Sequence, residues 1–270
     1  MSTLNPPALP DLDTLRVPPL GSFNLTALKL EIRRLLRNRR TIIITLLFPV
    51  IFFLLFGLNS AYALLPAGPG AHGNTSALVM ISLELYGAVA ATTFGGAMVS
   101  IERAQGWSRQ LRLTPLSPTA YITMKVLTAL VLGAGSVIAV NIVGLATGKA
   151  SMPGYLWVVT ALCVWVGSLL FAAFGLFLGY LLPTENVMQL MSLLLTLLSF
   201  AGGLFIPLSQ YPQTIADIAK FTPLYGLNQL VHAPMLGTGV PWTWPVNVLF
   251  WLAVFVVGAA WRFRQDTARV

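Results

Sequence analysis

The chain has 270 residues, of which 56% are hydrophobic and only 9% are charged. A soluble domain has about a quarter of its residues charged, so this composition excludes an ordinary water-soluble protein. It predicts an all-α protein that crosses a membrane several times. The net charge of +8 is explained by Lys and Arg at the cytoplasmic ends of such helices, and it does not indicate a nucleic-acid partner.

Two segments precede the first apolar run. Residues 1–22 are rich in Pro and polar groups and lack the apolar core of a signal peptide, so we expect a flexible cytoplasmic arm. Residues 23–40 predict an amphipathic helix in the membrane interface, which Asn24 or Thr26 caps. The apolar side of this interfacial helix includes Leu28, Ile32 and Leu35, and its basic side includes Arg33, Arg34 and Arg37.

Six apolar segments are long enough to cross a bilayer, which takes about 20 residues of helix. Together they predict one transmembrane domain over residues 23–270. Pro49 is expected to kink the first span, and glycines in the second and third spans predict close helix packing. We place the spans at residues 41–65, 77–101, 119–147, 154–182, 187–206 and 242–261.

One carboxyl group lies inside the second span. A charged group in hydrocarbon is costly, so a residue such as Glu84 usually faces a bundle interior or a water-filled cavity. Glu84 is therefore a candidate for the substrate path or for a proton-linked site. The alternative is a structural carboxyl near the outer interface.

The segment between the fifth and sixth spans, residues 207–241, is too polar and too rich in Pro and Gly to span. It still carries apolar residues at helical spacing, so we expect two short helices that form a re-entrant hairpin in the outer leaflet. With both termini in the cytoplasm, every Lys and Arg except Lys149 and Lys220 lies on the inner side. The positive-inside rule therefore predicts this orientation.

The sequence lacks the motifs of common catalytic sites. It contains no GxxxxGK[ST] nucleotide loop, no HExxH zinc motif and no GxSxG nucleophile elbow. A metal site built on His or Cys is not expected either, because the chain holds only His72, His232 and Cys163. These absences argue against an enzyme and against a cofactor bound by this chain.

Two stretches carry a family resemblance. The polar run at residues 100–125 contains Glu102-Arg103, Gly106, Leu111-Arg112, Thr114-Pro115-Leu116-Ser117, Tyr121 and Lys125. The second stretch contains GGLFIPL at residues 202–208 and FTPLY at residues 221–225. With the basic interfacial helix and the six spans, they resemble the ABC-2 type permeases, the membrane subunits of bacterial ABC exporters, over nearly the whole chain. Many relatives place an arginine shortly after the second motif, where this chain has Gln229 and His232.

The resemblance implies a permease of the inner membrane that has no ATPase site of its own. ATP and Mg²⁺ would bind to a separate ABC subunit, expected in two copies, and a second identical or related permease would complete the pathway. Membrane lipid is a further expected partner. A cytoplasmic coupling helix between spans two and three would contact the ABC subunit through Glu102, Arg103, Gly106, Arg109 and Arg112. The outer re-entrant hairpin would include Pro207, Pro223, Tyr225 and His232.

The cargo is the least constrained part of this interpretation. Few charges lie in the spans, which favours a hydrophobic or amphipathic cargo such as a drug or a lipid. Candidate residues along its path are Glu84, Phe94, Phe200 and Phe205. A glycan or glycolipid is the alternative cargo, and a membrane scaffold or sensor without transport is the alternative from another class.

Overall fold

A computed structural model describes residues 23–59, 62–106, 117–182 and 187–268 of the chain. Within these ranges the regular elements are all helices, and the only β-type pairing is an isolated bridge between Pro66 and Asn74. The arm predicted for residues 1–22 lies outside the described residues. The all-helical architecture expected from the composition is therefore confirmed for the part of the chain that the structure describes.

Two short helical turns of other types accompany the α-helices of the described residues. The α2 helix contains Pro49 and passes into a π-helical turn at Phe53–Gly57, and a 3₁₀ turn at Leu208–Gln210 precedes α8. The α-helices are α1 (Leu25–Arg37), α2 (Arg39–Phe52), α3 (Thr75–Ala104), α4 (Pro118–Thr147), α5 (Gly154–Gly167), α6 (Leu169–Leu181), α7 (Val187–Ala201), α8 (Gln213–Ala219), α9 (Pro223–Leu236) and α10 (Thr243–Ala268).

Among the residues that the structure describes, four helical segments are long and apolar enough to cross a membrane. They are Thr75–Ala104, Thr119–Thr147, Gly154–Leu181, which joins α5 and α6, and Thr243–Phe263. These correspond to the second, third, fourth and sixth expected spans. The helices at the first and fifth expected spans are shorter, at Thr45–Gly57 and Val187–Ala201, so the six-span topology stays a prediction.

The α3 helix lies at the centre of the fold. The most apolar stretch of α3 is 72% buried within the chain, whereas the corresponding stretch of α10 is 11% buried. Small residues bring α3 close to its neighbours: a Cβ atom on Gly95 would lie 2.7 Å from the Cβ of Ala129 in α4, and one on Gly96 would lie 2.6 Å from the carbonyl oxygen of Ala172 in α6. Such contacts let helix backbones approach closely where no hydrophobic effect drives association in lipid.

The connections opposite the Glu102 end of α3 are tied to one another. Asn74 caps α3 by accepting a hydrogen bond from Ala77 N at 3.0 Å, and its amide donates to the carbonyl of Lys149 at 2.7 Å. Trp251 of α10 donates to the carbonyl of Phe221 at 2.8 Å, which holds the α8–α9 connection. The two short helices expected in residues 207–241 are thus present as α8 and α9, while their depth in the membrane stays a prediction.

Candidate functional site

A group of polar side chains joins α3 to α4 near the end of α3. The two carboxylate oxygens of Glu102 have different partners: Oε1 accepts from the Lys125 ammonium at 2.5 Å, and Oε2 accepts from the Tyr121 hydroxyl at 2.5 Å. Tyr121 and Lys125 are four residues apart in α4 and so lie on one face of that helix. A single face of α4 therefore satisfies both oxygens of Glu102.

The α1 helix enters the same group from the side. The Lys125 ammonium also donates to Oε1 of Glu31, and the guanidinium of Arg34 donates to Oε1 of Glu102 at 3.4 Å. Arg34 also lies 3.8 Å from the second oxygen of Glu31. We call Glu31, Arg34, Glu102, Tyr121 and Lys125 the charged cluster. The α1 helix contributes one carboxylate and one cation to it, and the α3–α4 pair contributes the other carboxylate and the other cation.

The burial of these side chains determines how much each pair matters. The side chains of Glu102 and Lys125 are 4% and 6% exposed, whereas those of Glu31 and Arg34 are 25% and 54% exposed. Removing one partner of a buried ion pair costs about 3–5 kcal/mol because the other charge is left unpaired. An exposed pair contributes about 0–1 kcal/mol. Breaking the buried Glu102–Lys125 pair is therefore the most costly change in the charged cluster, and the exposed Arg34 contributes little to its stability.

Arg103, the next residue of α3, contacts α6. The guanidinium of Arg103 donates to the carbonyl oxygens of Tyr180 at 3.2 Å and Gly179 at 3.4 Å, both near the end of α6. It also lies over the Tyr180 ring, 5.3 Å from the centroid, in a cation–π geometry. Carbonyls at a helix C-terminus attract cations, so Arg103 neutralises the end of α6.

A cavity of about 300 Å³ opens beside the charged cluster, between α1, α3 and α4. Its polar lining includes Glu31, Arg34, Glu102 and Lys125, together with Arg37 from the last turn of α1. This volume is at the lower end of the range for small-molecule sites, about 300–1,000 Å³. The cavity has room for a small charged group and no room for a large amphipathic molecule.

The expected coupling residues are divided by the structure. Glu102 and Arg103, expected in a separate cytoplasmic helix, instead lie in the last turn of α3 and contact other helices of the same protomer. Gly106 follows that turn with a φ of 74°, a left-handed conformation that glycine adopts readily. Arg109 and Arg112 lie outside the described residues. The contact between this segment and an ABC subunit therefore stays a prediction.

The expected substrate-path residues are also divided. Phe200 and Phe205 come together, with ring centroids 5.4 Å apart, and Phe205 lies 5.2 Å from the ring of Tyr86 in α3. Phe94 is half-buried against the core. Glu84 is fully buried in α3, and neither of its oxygens has a hydrogen-bond partner among the described residues. Phe200 and Phe205 therefore lie together, whereas Glu84 is buried inside the chain.

The expected hairpin residues lie around α9. Pro223 is its first residue, Tyr225 is half-buried in its first turn, and Pro207 precedes the 3₁₀ turn. His232 is buried: its Nδ1 lies 2.8 Å from the carbonyl oxygen of Asn228, and its Nε2 lies 3.1 Å from the hydroxyl of Ser82 in α3. Since a carbonyl only accepts, Nδ1 carries the proton. In this structure His232 links α9 to the central helix.

Glu31 is absent from the residues that the sequence predicts for a site, although it is the only carboxylate in α1. It lies on the half-buried side of the helix, beside Leu28, Ile32 and Leu35, while Arg33, Arg34 and Arg37 are exposed. An isolated acid on the apolar side of a basic helix needs a cation on the surface against which it packs. That pattern was the available signal for Glu31, and it did not identify Lys125 as the partner.

The chain is similar in sequence to known transport proteins. Residues 24–236 match the family model described as ABC-2 type transporter. The chain is also 23% identical over 240 residues to a Bacillus subtilis (strain 168) protein described as "Putative transport permease YvfS", an alignment that covers 88% of this chain and 96% of that protein. The family match extends over most of the chain, from the residue that caps α1 to the last residue of α9. The chain therefore belongs to the ABC-2 type transporter family.

Proposed function

We propose that the chain is the permease of an ATP-driven exporter that moves a hydrophobic or amphipathic molecule, such as a drug or a lipid, out of the cytoplasm or the inner leaflet. Its family makes it a membrane component of an ABC transporter. ATP and Mg²⁺ bind to a separate ABC subunit, present in two copies, and a second permease completes the pathway. Both termini lie on the cytoplasmic side of the inner membrane.

The charged cluster is the observation that carries this proposal. It joins α1 to the ends of α3 and α4 that flank residues 107–116, the segment expected to contact the ABC subunit. A displacement of that segment acts on α3 and α4 through the chain and on α1 through Lys125. Packed helices move as discrete units rather than deform continuously, so the cluster is suited to pass a displacement of residues 107–116 on to the membrane helices.

A row of aromatic rings supports the choice of cargo. Successive ring centroids lie 4.2–5.5 Å apart along this row, which connects α2, α3 and the end of α7. The row is accessible from outside near both of its ends, because Phe48, the second ring, is 39% exposed and Phe200, the last ring, is 41% exposed. Aromatic faces offer large apolar contact areas to an amphipathic molecule. The row consists of Phe52, Phe48, Tyr86, Phe205 and Phe200.

Coupling is tested in proteoliposomes that contain the chain and its ABC subunit. We expect Glu102→Gln to preserve complex formation and ATP hydrolysis but to lower cargo transport per ATP several-fold, since the amide no longer holds Lys125 by charge. Lys220→Gln is the matched control, because Lys220 forms an ion pair with Asp217 on an exposed helix. Equal transport per ATP in wild type and Glu102→Gln would contradict the proposed role of the cluster.

Cargo is tested with lipophilic, amphipathic and glycolipid fluorescent probes in the same vesicles. We expect Phe205→Ala to raise the KM for lipophilic probes several-fold, while Phe250→Ala, an exposed aromatic outside the row, leaves it unchanged. Preferential transport of the glycolipid would replace the drug or lipid assignment. Binding of the ABC subunit without transport of any probe would favour a scaffold.

A further inference from the structure

The cavity between α1, α3 and α4 has two chemically different halves. Its apolar wall is made by Gly95 and Met98 of α3, Ala129 of α4 and Leu35 of α1. The charged part of its lining consists of Glu31, Arg34 and Arg37 of α1 together with Glu102 and Lys125. A ligand for this cavity therefore needs a charged part and an apolar part that are joined directly.

The charges of the cavity are unequal. Arg34, Arg37 and Lys125 provide three positive charges, and Glu31 and Glu102 provide two negative charges, which leaves one net positive charge. Lys125 is held by both carboxylates, so its charge is neutralised within the wall. Among the described residues Arg37 forms no ion pair, and Arg34 has only the longer contacts of 3.4 and 3.8 Å. The two guanidinium groups are thus the positive charges available to a ligand.

We propose that this cavity binds the phosphate group of one phospholipid headgroup, as a resident lipid rather than as transported cargo. Arginine is well suited to phosphate, because its planar fork of N–H donors matches two phosphate oxygens. Arg34 and Arg37 are three residues apart and so lie on one face of α1. The glycerol backbone contacts the apolar wall, and the acyl chains stay in the bilayer.

The position of α1 supports a lipid over a soluble anion. Leu25, Leu30 and Leu36 are exposed on this helix, whereas its half-buried side faces the protein. An amphipathic helix with exposed leucines and arginines adopts a position at the boundary between headgroups and acyl chains. A cavity under such a helix is therefore at the depth where lipid phosphates are concentrated.

Glu31 adds a preference among phospholipids. Its carboxylate is a quarter exposed and lines the same cavity as Arg34 and Arg37. A carboxylate next to a phosphate site favours a headgroup that carries an ammonium and disfavours one that carries only hydroxyls. The site therefore prefers phosphatidylethanolamine to phosphatidylglycerol.

The test is native mass spectrometry of the full-length chain extracted from vesicles with equal amounts of the two lipids. We expect wild type to retain about one phosphatidylethanolamine per protomer, and Arg34→Gln with Arg37→Gln to lower that occupancy several-fold. Lys29→Gln with Arg33→Gln is the matched control, since it removes two charges from the same helix outside the cavity. Glu31→Gln should equalise the two lipids.

The outcomes separate the possible sources of binding. Equal lipid loss in both double variants would show general attraction to a basic helix and would overturn a site in the cavity. Retention of phosphatidylglycerol in preference would overturn the role of Glu31. Release of the lipid by millimolar inorganic phosphate would assign the cavity to a soluble anion. Arg37→Gln alone leaves the charged cluster intact. We expect it to lower lipid occupancy without changing the thermal unfolding temperature, which separates lipid loss from loss of fold. No ATP is present, so the result is independent of transport.

Discussion

Gly175 of α6 lies directly against the backbone of Thr93 in α3. A Cβ atom on Gly175 would come within 2.1 Å of the Thr93 carbonyl oxygen and 2.8 Å of its carbonyl carbon. Backbone atoms cannot turn aside as a flexible side chain does, so a methyl group is accommodated only if the two helices separate. The α3–α6 distance is therefore set by the absence of a side chain at this position.

We expect Gly175→Ala to destabilise the protein by about 1–3 kcal/mol, the usual cost of inserting a group into a packed core. The measurement is the thermal unfolding temperature of the purified chain in detergent. Gly154→Ala is the control, because nothing lies within 4 Å of a Cβ atom at that position in the first turn of α5. Similar unfolding temperatures for the two variants would show that the crossing tolerates separation.

The charged cluster predicts strong non-additivity between Glu102 and Lys125. Lys125→Met alone should cost about 3–5 kcal/mol because it leaves a buried carboxylate without its ammonium. Adding Glu102→Gln removes that charge, so the double variant should lose less stability than the sum of the single variants, with a coupling of about 0.5–3 kcal/mol. Free energies of unfolding from denaturant titration provide the four values.

Lys220 provides the contrast for that measurement. It pairs with Asp217 at 2.7 Å, but both side chains are about half exposed. We expect Lys220→Met to leave the free energy of unfolding unchanged within error. If the two lysine substitutions had equal effects, burial of the Glu102–Lys125 pair would not be the source of its strength.

Substitution of the buried Glu84 is expected to raise the stability of the protein. Its two carboxylate oxygens are buried without a hydrogen-bond partner among the described residues, and an unsatisfied buried polar group costs about 1–3 kcal/mol. Glu84→Met removes both oxygens and should raise the unfolding temperature. If Glu84 belongs to the substrate path, transport should fall in the same variant. Unchanged transport would assign the carboxyl to structure alone.

His232 predicts a dependence of stability on pH. Burial lowers the pKa of His232 below its usual value of 6.5, against the opposing effect of hydrogen bonds to the backbone of Asn228 and Leu78. The folded protein therefore takes up a proton less readily than the unfolded chain. Stability should be fully present above about pH 6.5 and should fall as the pH decreases towards the lowered pKa.

The measurement for His232 compares unfolding temperatures at pH 7.5 and pH 5.5 for wild type and His232→Gln. Glutamine does not titrate in this range and can still donate and accept hydrogen bonds. We expect acidification to lower the unfolding temperature of wild type more than that of the variant. An equal decrease in both would show that another group determines the acid sensitivity.

The ends of helices were predictable where the sequence contains capping or helix-breaking residues. Asn24, one of the two expected cap residues, caps α1 with its side chain accepting from Thr26 N at 2.7 Å, and α4 and α5 begin within one residue of the predicted spans. The helix of the first expected span ends at Gly57, eight residues earlier than predicted. Residues 58–65 are apolar enough to continue a helix, so composition alone did not reveal this end.

The charged cluster was not predictable as a group. Glu31 and Lys125 are 94 residues apart in the chain, and helical periodicity indicates the face of a residue without indicating which helix covers it. The α4 helix is apolar nearly all round, so its pattern does not distinguish the side that meets α1 from the side that meets lipid. The partner of Lys125 follows only from the packing of three helices.

Consecutive residues at the end of α3 are held by two different helices: Glu102 by α4 and Arg103 by α6. A rotation of α3 about its own axis would therefore disturb the contacts with both helices at once. A displacement applied at Gly106 is therefore not absorbed by a rotation of α3 alone while the neighbouring helices stay in place. The helix must carry α4 and α6 with it, so that a contact only a few residues wide would shift several apolar helices as one rigid body.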